Sequence, residues 1–196
     1  MNASDTCSNV RFTVQITHHL LDEARWLASP NFNQRPSDTI NMLVVHNISL
    51  PPKQFGGNFI ESFFCNELDC TAHPYFDEIK DLQVSAHLLI KRDGSITQFV
   101  PFNERAWHAG VSEFKGEANC NDFSIGVELE GADDVPYTEE QYQALAGVTQ
   151  CLRKQYPNIT LDRIVGHSDI APGRKTDPGT SFDWAYFHQL MQEAEI

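Results

Sequence analysis

The chain has 196 residues, of which 41% are hydrophobic and 21% are charged, and its formal net charge at pH 7 is −13. A chain of this length can bury about 70% of the surface of its unfolded form, so a single compact domain is expected. The acidic balance argues against nucleic acid or an anionic membrane as a partner, and no apolar run reaches the ~18 residues that a membrane span needs.

The N-terminal part has no clear periodicity, so residues 1–23 are predicted to form an appendage to a domain over residues 24–196. Its start, MNASDTC, lacks the early basic residue and the apolar core of a secretory signal. An odd number of irregularly spaced cysteines argues against a disulfide framework; they are Cys7, Cys65, Cys70, Cys120 and Cys151. These features predict a cytoplasmic protein, and nothing demands more than a monomer.

The first regular elements surround a loop rich in proline and glycine. Residues 42–46, MLVVH, are predicted to form a buried strand that ends at His46. The loop over residues 50–57 follows, and a short helix is expected near 58–65. Further on, Asp93-Gly94 lies between two apolar runs, 84–90 and 95–100. This predicts a β-hairpin, because both central positions of the tight turn need a positive φ.

The second half of the chain adds two strands and two helices. Residues 123–130 are predicted to form a strand with Ser124, Gly126, Glu128 and Glu130 on one face. Thr138 and Gln141 predict the start of a helix over 138–156, whose inward stripe is Tyr142, Leu145, Thr149 and Leu152. A short strand over 162–166 and a helix over 182–193 complete an α/β domain with a central mixed β-sheet flanked by helices.

The loop over residues 167–179, HSDIAPGRKTDPG, has the strongest chemical signal. Its two prolines and two glycines allow it to fold back so that His167 and Asp177 point at one spot. A second imidazole would complete a two-His, one-Asp zinc site whose fourth position stays open, as in catalytic zinc sites. His46 is the best candidate for that imidazole, although spacing alone does not establish the assignment.

The residue types suggest two other kinds of site, a structural zinc site and a glycosidase site. Cys65, Cys70 and His73 form a partial zinc-binding pattern, but no fourth ligand stands at a convincing spacing, so free thiols are favoured. Glu128 and Glu130 form a carboxylate pair of the kind that glycosidases use. A glycosidase does not explain why His167, Lys175 and Asp177 share a loop. On the residues alone, the alternative that Glu128 is a solvent-exposed strand residue without a catalytic role stays open.

Five motifs occur in an order that resembles a known family. They are VVHNISLPP at 44–52, VSAH at 84–87, RAWHAGVS at 105–112, NDFSIGVELEG at 121–131 and the loop at 167–179. Together they closely resemble the AmpD-type 1,6-anhydro-N-acetylmuramyl-L-alanine amidases. These belong to a zinc amidase superfamily that includes phage lysozyme-type amidases and peptidoglycan recognition proteins. The resemblance covers roughly residues 24–190.

The resemblance implies a site and a reaction. His46, His167 and Asp177 would bind Zn²⁺, and Glu128 and Lys175 would be catalytic. The substrates would be anhydro-muropeptides, small cell-wall fragments, cut at the amide between the lactyl group of the sugar and L-alanine for peptidoglycan recycling. Glu128 would take a proton from water and pass it to the departing amine, while Lys175 would stabilise the oxyanion.

Four further residues are predicted to bind substrate. Trp107 and His108 resemble a family motif that lines the cleft, although core packing stays open as an alternative. Asn47 follows a predicted metal ligand, and the guanidinium fork of Arg174 matches a peptide carboxylate. The sequence departs from the family pattern at two positions where related enzymes often have arginine, Gln83 and Asn119.

Three functions are consistent with these sequence features. The first is a zinc amidase acting on small soluble anhydro-muropeptides. The second is an amidase of the same fold acting on polymeric cell wall, which the absence of a signal and of a wall-binding module disfavours. The third is a non-catalytic muropeptide-binding protein. Such proteins usually lack a metal ligand, whereas all three predicted ligands are present in this sequence.

Overall fold

The computed structural model describes residues 14–193. Twelve strands lie in this part of the chain: β1 Ile16–Thr17, β2 Leu20–Leu21, β3 Arg25–Trp26, β4 Phe32–Gln34, β5 Met42–Ile48, β6 Leu88–Ile90, β7 Ile96–Gln98, β8 Glu104–Ala106, β9 Glu113–Phe114, β10 Glu117–Ala118, β11 Ser124–Glu130 and β12 Ile164–Gly166. The α-helices are α1 Phe59–Phe64, α2 Phe76–Ile79, α3 Glu139–Gln155, α4 His167–Ile170 and α5 Trp184–Glu193. Single 3₁₀ turns occur at Cys120–Asp122 and Leu161–Arg163.

Six strands form the central sheet, in the order β12-β5-β11-β6-β7-β3. The first four are parallel, whereas β7 runs antiparallel to β6 and parallel to β3. The predicted hairpin is present, with Leu88 opposite Gln98. The predicted turn geometry is wrong, however, because only Gly94 has a positive φ, of 80°, and Asp93 does not. The expectation of an α/β domain with a mixed sheet is confirmed.

One face of the sheet packs against α3 and α5. Leu43 and Val45 of β5 and Ile125 and Val127 of β11 are fully buried there. The predicted inward stripe of α3 is also buried: Tyr142, Leu145, Thr149 and Leu152. The predicted cap is present as well, since the Thr138 hydroxyl accepts from the Gln141 amide and the Gln141 side chain accepts from the Thr138 amide, both at 3.2 Å.

The opposite face of the sheet carries the polar residues of β11. Towards β6 and β7 it is covered by an aromatic cluster around α1 and α2 that includes Phe64, Phe76 and Phe99. Towards β5 and β12 a smaller cluster lies beneath the site, formed by Met42, Val44, Ala109, Cys120, Phe123 and Ile170.

The described part of the predicted appendage, residues 14–23, packs against the rest of the domain. Leu21 is buried in the main core, and its amide donates to Gln98 Oε1 at 2.7 Å. The boundary at residue 23 stays a prediction, and residues 1–13 lie outside the described part, Cys7 included. Cys65, Cys70, Cys120 and Cys151 are free thiols. Within residues 14–193, no helix has both the length and the apolar character needed to cross a bilayer.

Candidate metal and catalytic site

Strand register brings three predicted site residues together. β5 and β11 are neighbouring parallel strands, and Glu128 lies directly opposite His46. β12 pairs with the other side of β5, and His167 follows its last residue, Gly166. The carboxyl ends of parallel strands are the usual location of sites in open α/β sheets. The candidate site therefore lies at this edge of the sheet.

The three predicted metal ligands converge on one point. The Nδ1 atoms of His46 and His167 are 2.9 Å apart, and each lies 3.0 Å from Oδ2 of Asp177. This is the one group of three candidate metal-binding side chains found in the described part of the chain. Cys65, Cys70 and His73 do not form such a group there.

Hydrogen bonds and a glycine shape the loop that brings Asp177 back to His167. The Ser168 amide donates to the Asp177 carbonyl at 3.0 Å, and the Lys175 amide donates to Ala171 at 3.0 Å. Gly179 has a φ of +83°, and a Cβ at this position would lie 2.1 Å from Cα of Asp133. Glycine is therefore required at 179 by both its conformation and its surroundings.

Burial and mutual proximity set the charges of the cluster. Burial lowers the pKa of His46 to about 4, so this imidazole is neutral at pH 7. Burial raises the pKa of Asp177, but the neighbouring imidazoles of His167 and His46 outweigh it and lower that pKa overall. A neutral imidazole and an ionised carboxylate are the forms that bind a metal cation.

Glu128 lies beside this cluster, and one of its carboxylate oxygens lacks a hydrogen-bond partner. Its Oε2 atom is buried and has no hydrogen-bond partner among residues 14–193. Burial and the charge of Asp177 raise the pKa of Glu128 well above its ordinary value, while the charge of Lys175 acts in the opposite direction. The Lys175 side chain is exposed to solvent. A buried carboxyl with a raised pKa is suited to accepting and returning a proton.

Two predicted substrate-binding residues, Trp107 and Asn47, have side-chain N–H groups that already donate to protein acceptors. Trp107 is half-buried, and its indole N–H donates to Asn33 Oδ1 at 2.7 Å. The Asn47 amide nitrogen donates to Asp133 Oδ1 at 2.8 Å and to the Pro178 carbonyl at 3.0 Å. Asn47 thus ties the end of β5 to the loop that carries Asp177. Contact of either residue with substrate stays a prediction.

The other two residues predicted to bind substrate also contact protein groups. Nη2 of Arg174 donates to the carbonyls of Ala109 at 2.7 Å and Val111 at 2.6 Å. His108 is buried, with its ring between His46 and Ser124. Their role in substrate binding likewise stays a prediction.

Three residues beneath the site have roles that the sequence analysis did not predict: Arg35, Ser124 and Gly126. Arg35 is buried, and its guanidinium donates to the Ser124 carbonyl at 2.8 Å and to the Asn121 carbonyl at 3.0 Å. These partners are distant along the chain, so no local signal could reveal them. Ser124 and Gly126 did have a signal, because they share a strand face with Glu128.

A buried histidine below the site predicts sensitivity to acid. Burial, aided by the charge of Arg35, lowers the pKa of His87 from 6.5 to about 3. Below pH 6.5 the unfolded chain therefore binds a proton that the folded chain excludes, so stability falls as the pH drops towards 3. His87 alone is expected to remove about 2 kcal/mol of unfolding free energy by pH 5.

Urea denaturation of the protein in chelator, at pH 7.5, 6.5 and 5, measures this loss. His87→Gln should be less stable at pH 7.5, because it breaks the bonds of His87 to the Gly126 amide and the Glu104 carbonyl, each 3.0 Å long. Its stability should nevertheless fall less between pH 6.5 and 5 than that of the wild type. Equal losses in both proteins would contradict the prediction.

Comparison with known proteins shows the family to which the chain belongs. Residues 35–180 match the family described as N-acetylmuramoyl-L-alanine amidase. The chain is 57% identical over 171 residues to 1,6-anhydro-N-acetylmuramyl-L-alanine amidase AmpD of Escherichia coli, covering 87% of this chain and 93% of that protein.

Solved structures extend the comparison to the fold. A crystal structure of a selenomethionine derivative of AmpD is 56% identical, has a TM-score of 0.87, and the match covers 89% of this chain and 98% of that one. AmpDh3 of Pseudomonas aeruginosa in complex with anhydromuramic pentapeptide is 30% identical, with a TM-score of 0.57 and coverage of 79% and 61%. The chain belongs to the N-acetylmuramoyl-L-alanine amidase family.

Proposed function

We propose that the chain is a zinc-dependent amidase that cleaves small 1,6-anhydro-muropeptides between the lactyl group of the sugar and L-alanine. The observation that carries the proposal is the convergence of His46, His167 and Asp177 within 3.0 Å of one another, on the face where Glu128 lies. The name of the E. coli relative and the ligand of the P. aeruginosa structure support this substrate class. Action in the cytoplasm, as a monomer, is part of the proposal.

The residues present fit a zinc ion. Two imidazole nitrogens and one carboxylate oxygen are a ligand set of catalytic zinc sites, which leave the fourth position open. The unpartnered Oε2 of Glu128 also fits, because a buried carboxylate oxygen requires a donor, and a water at the site would supply it. When bound, zinc polarises the amide carbonyl and lowers the pKa of water from ~15.7 to about 7.

The chain's own residues then handle protons and charge. As the water oxygen bonds to the carbonyl carbon, the Glu128 carboxylate accepts a proton from that water. Glu128 returns the proton to the alanine nitrogen as the C–N bond breaks, which releases a neutral amine rather than an unstable anion. The exposed ammonium of Lys175, in the same loop as Asp177, stabilises the negative charge on the carbonyl oxygen.

Mass spectrometry of the products from a defined anhydro-muropeptide tests the proposal. We expect the intact anhydro-sugar and a peptide that begins with L-alanine, no products in the presence of a chelator, and recovery when zinc is restored. Purified sacculi provide the comparison substrate and should release little. A protein that binds one zinc ion and the muropeptide without forming products would be the non-catalytic alternative. Faster release from sacculi would indicate the amidase of polymeric wall.

A further inference from the structure

His108 is the middle member of a buried chain of hydrogen bonds that starts at a metal ligand. Its Nδ1 lies 2.9 Å from Nε2 of His46, the nitrogen on the far side of that ring from Asp177. Its Nε2 lies 3.1 Å from the Ser124 hydroxyl, which in turn lies 2.5 Å from the Cys120 carbonyl. This series of hydrogen bonds ends at the Cys120 carbonyl, a group that can only accept a hydrogen bond.

The direction of each bond follows from that end. The Cys120 carbonyl has no hydrogen, so the single hydrogen of the Ser124 hydroxyl points to it. The hydroxyl oxygen must then accept from His108, which places a hydrogen on Nε2 of that ring. No carboxylate contacts this buried ring in the described part of the chain, so it is neutral and carries one N–H.

The same argument fixes which ring nitrogen of His46, the predicted metal ligand, carries the hydrogen. Since Nε2 of His108 carries its hydrogen, Nδ1 of His108 is an acceptor, and Nε2 of His46 must donate to it. Nδ1 of His46 is then left with a free lone pair, and this is the atom that faces His167 and Asp177. In the other tautomer this nitrogen would carry hydrogen and could not bind a cation.

We propose that His108 is a positioning residue that, together with Ser124, fixes the tautomer and ring orientation of His46 for metal binding. The inference deepens the proposed function and rests on it for the identity of the ion. It gives His108 a role different from the predicted substrate contact, because both of its ring nitrogens have protein partners. Hydrogen bonds from outer residues to metal-binding histidines are a general means of orienting them.

The surrounding chain is built to hold this ring. Gly126 leaves space for it, since a Cβ there would lie 2.4 Å from Cγ of His108. Oδ1 of Asn121 accepts from the amides of His108 at 3.1 Å and Ala109 at 2.8 Å. Nε2 of His167 lies 3.0 Å from the Ala109 carbonyl, to which it donates. The consecutive residues His108 and Ala109 therefore orient the imidazoles of His46 and His167, respectively.

Zinc affinity of two variants at one position tests the proposal, measured by competition with a chromophoric chelator. In His108→Asn, the side-chain oxygen takes the place of Nδ1 and can accept from His46, so affinity should stay within a few-fold of the wild type. In His108→Leu the acceptor is lost, and zinc should bind roughly 10- to 100-fold more weakly. A role in packing alone predicts the reverse order, because asparagine fills less of the buried space. That order would overturn the proposal.

A second pair of variants tests the role of the hydroxyl. Ser124→Ala removes the acceptor that fixes the hydrogen on Nε2 of His108 and should weaken zinc binding. Thr149→Val is the matched control: its hydroxyl is equally buried, but it donates to Leu145 within α3 on the opposite face of the sheet. Equal zinc affinity in Ser124→Ala and the wild type would overturn the proposal.

Imidazole ¹⁵N NMR of the full-length, metal-free protein gives a readout that does not depend on activity. The wild type should show hydrogen on Nε2 of both His108 and His46, and Ser124→Ala should show a mixture of tautomers at His108. Hydrogen on Nδ1 of His108 in the wild type would overturn the inference. A wild type that binds no zinc would overturn the proposed function instead, while the NMR spectrum would still decide the tautomer.

Discussion

Glu128→Gln is expected to lower kcat for amide cleavage by about 100- to 10,000-fold, the range typical of a lost general acid–base group. The amide keeps the shape of the side chain but cannot take up a proton from water. Because Glu128 is not one of the three converging ligands, the variant should bind zinc as tightly as the wild type. Steady-state kinetics and zinc content, measured on the same preparation, check both parts.

Glu130→Gln is the matched control for this variant. Glu130 lies on the same strand face, but its carboxylate accepts from the amides of Gly56 at 2.6 Å and Arg92 at 3.2 Å. The substitution should cost about 1–3 kcal/mol of stability, because one of these amides loses its acceptor. It should leave kcat within a few-fold of the wild type. A comparable loss of kcat in both variants would show that carboxylates on this face act through structure, not proton transfer.

The long elements of the fold were predictable because their signals are local. The apolar run of β5, the alternation in β11 and the capped, amphipathic α3 can each be recognised within one segment of sequence. Residues 14–23 could not be, since β1 and β2 are two residues long each and the burial of Leu21 depends on partners such as Gln98. Short strands stabilised by distant contacts leave no period to detect.

The residues of the candidate site were likewise predictable only where their signal was local. That His167 and Asp177 could converge followed from one loop shaped by proline and glycine. The place of His46 beside them depends on the pairing of β12 with β5, which joins Ile164 to Leu43. The residues alone left that assignment open, and the resemblance to the amidases supplied it. The contacts of Arg35 join distant segments, and neither local pattern nor resemblance indicated them. The strand pattern placed Ser124 on the face of Glu128 but did not show its hydrogen bonds to His108 and Cys120.

Asp177→Asn should have the other large effect, on metal binding itself. The substitution keeps an oxygen in place but removes the one formal negative charge among the three ligands. Even for a single positive charge about 4 Å away, at an effective dielectric constant of about 20, that charge is worth about 4 kcal/mol, or about 1,000-fold in affinity. Zinc should therefore bind at least ~1,000-fold more weakly. Activity should fall with occupancy and recover in part at high zinc concentration.

Asp169→Asn separates this effect from a general loss of charge in the loop. Asp169 is exposed, and its Oδ2 accepts from the Gly166 amide at 2.7 Å, a bond that an asparagine oxygen can keep. Both variants remove one negative charge from the segment that carries the ligands, but only Asp177 faces His46. Unchanged zinc affinity in Asp169→Asn together with a large loss in Asp177→Asn would place the cation between the two imidazoles and this carboxylate. Equal affinities in the two variants would mean that zinc binds elsewhere, and the catalytic role of Glu128 would then have no metal beside it.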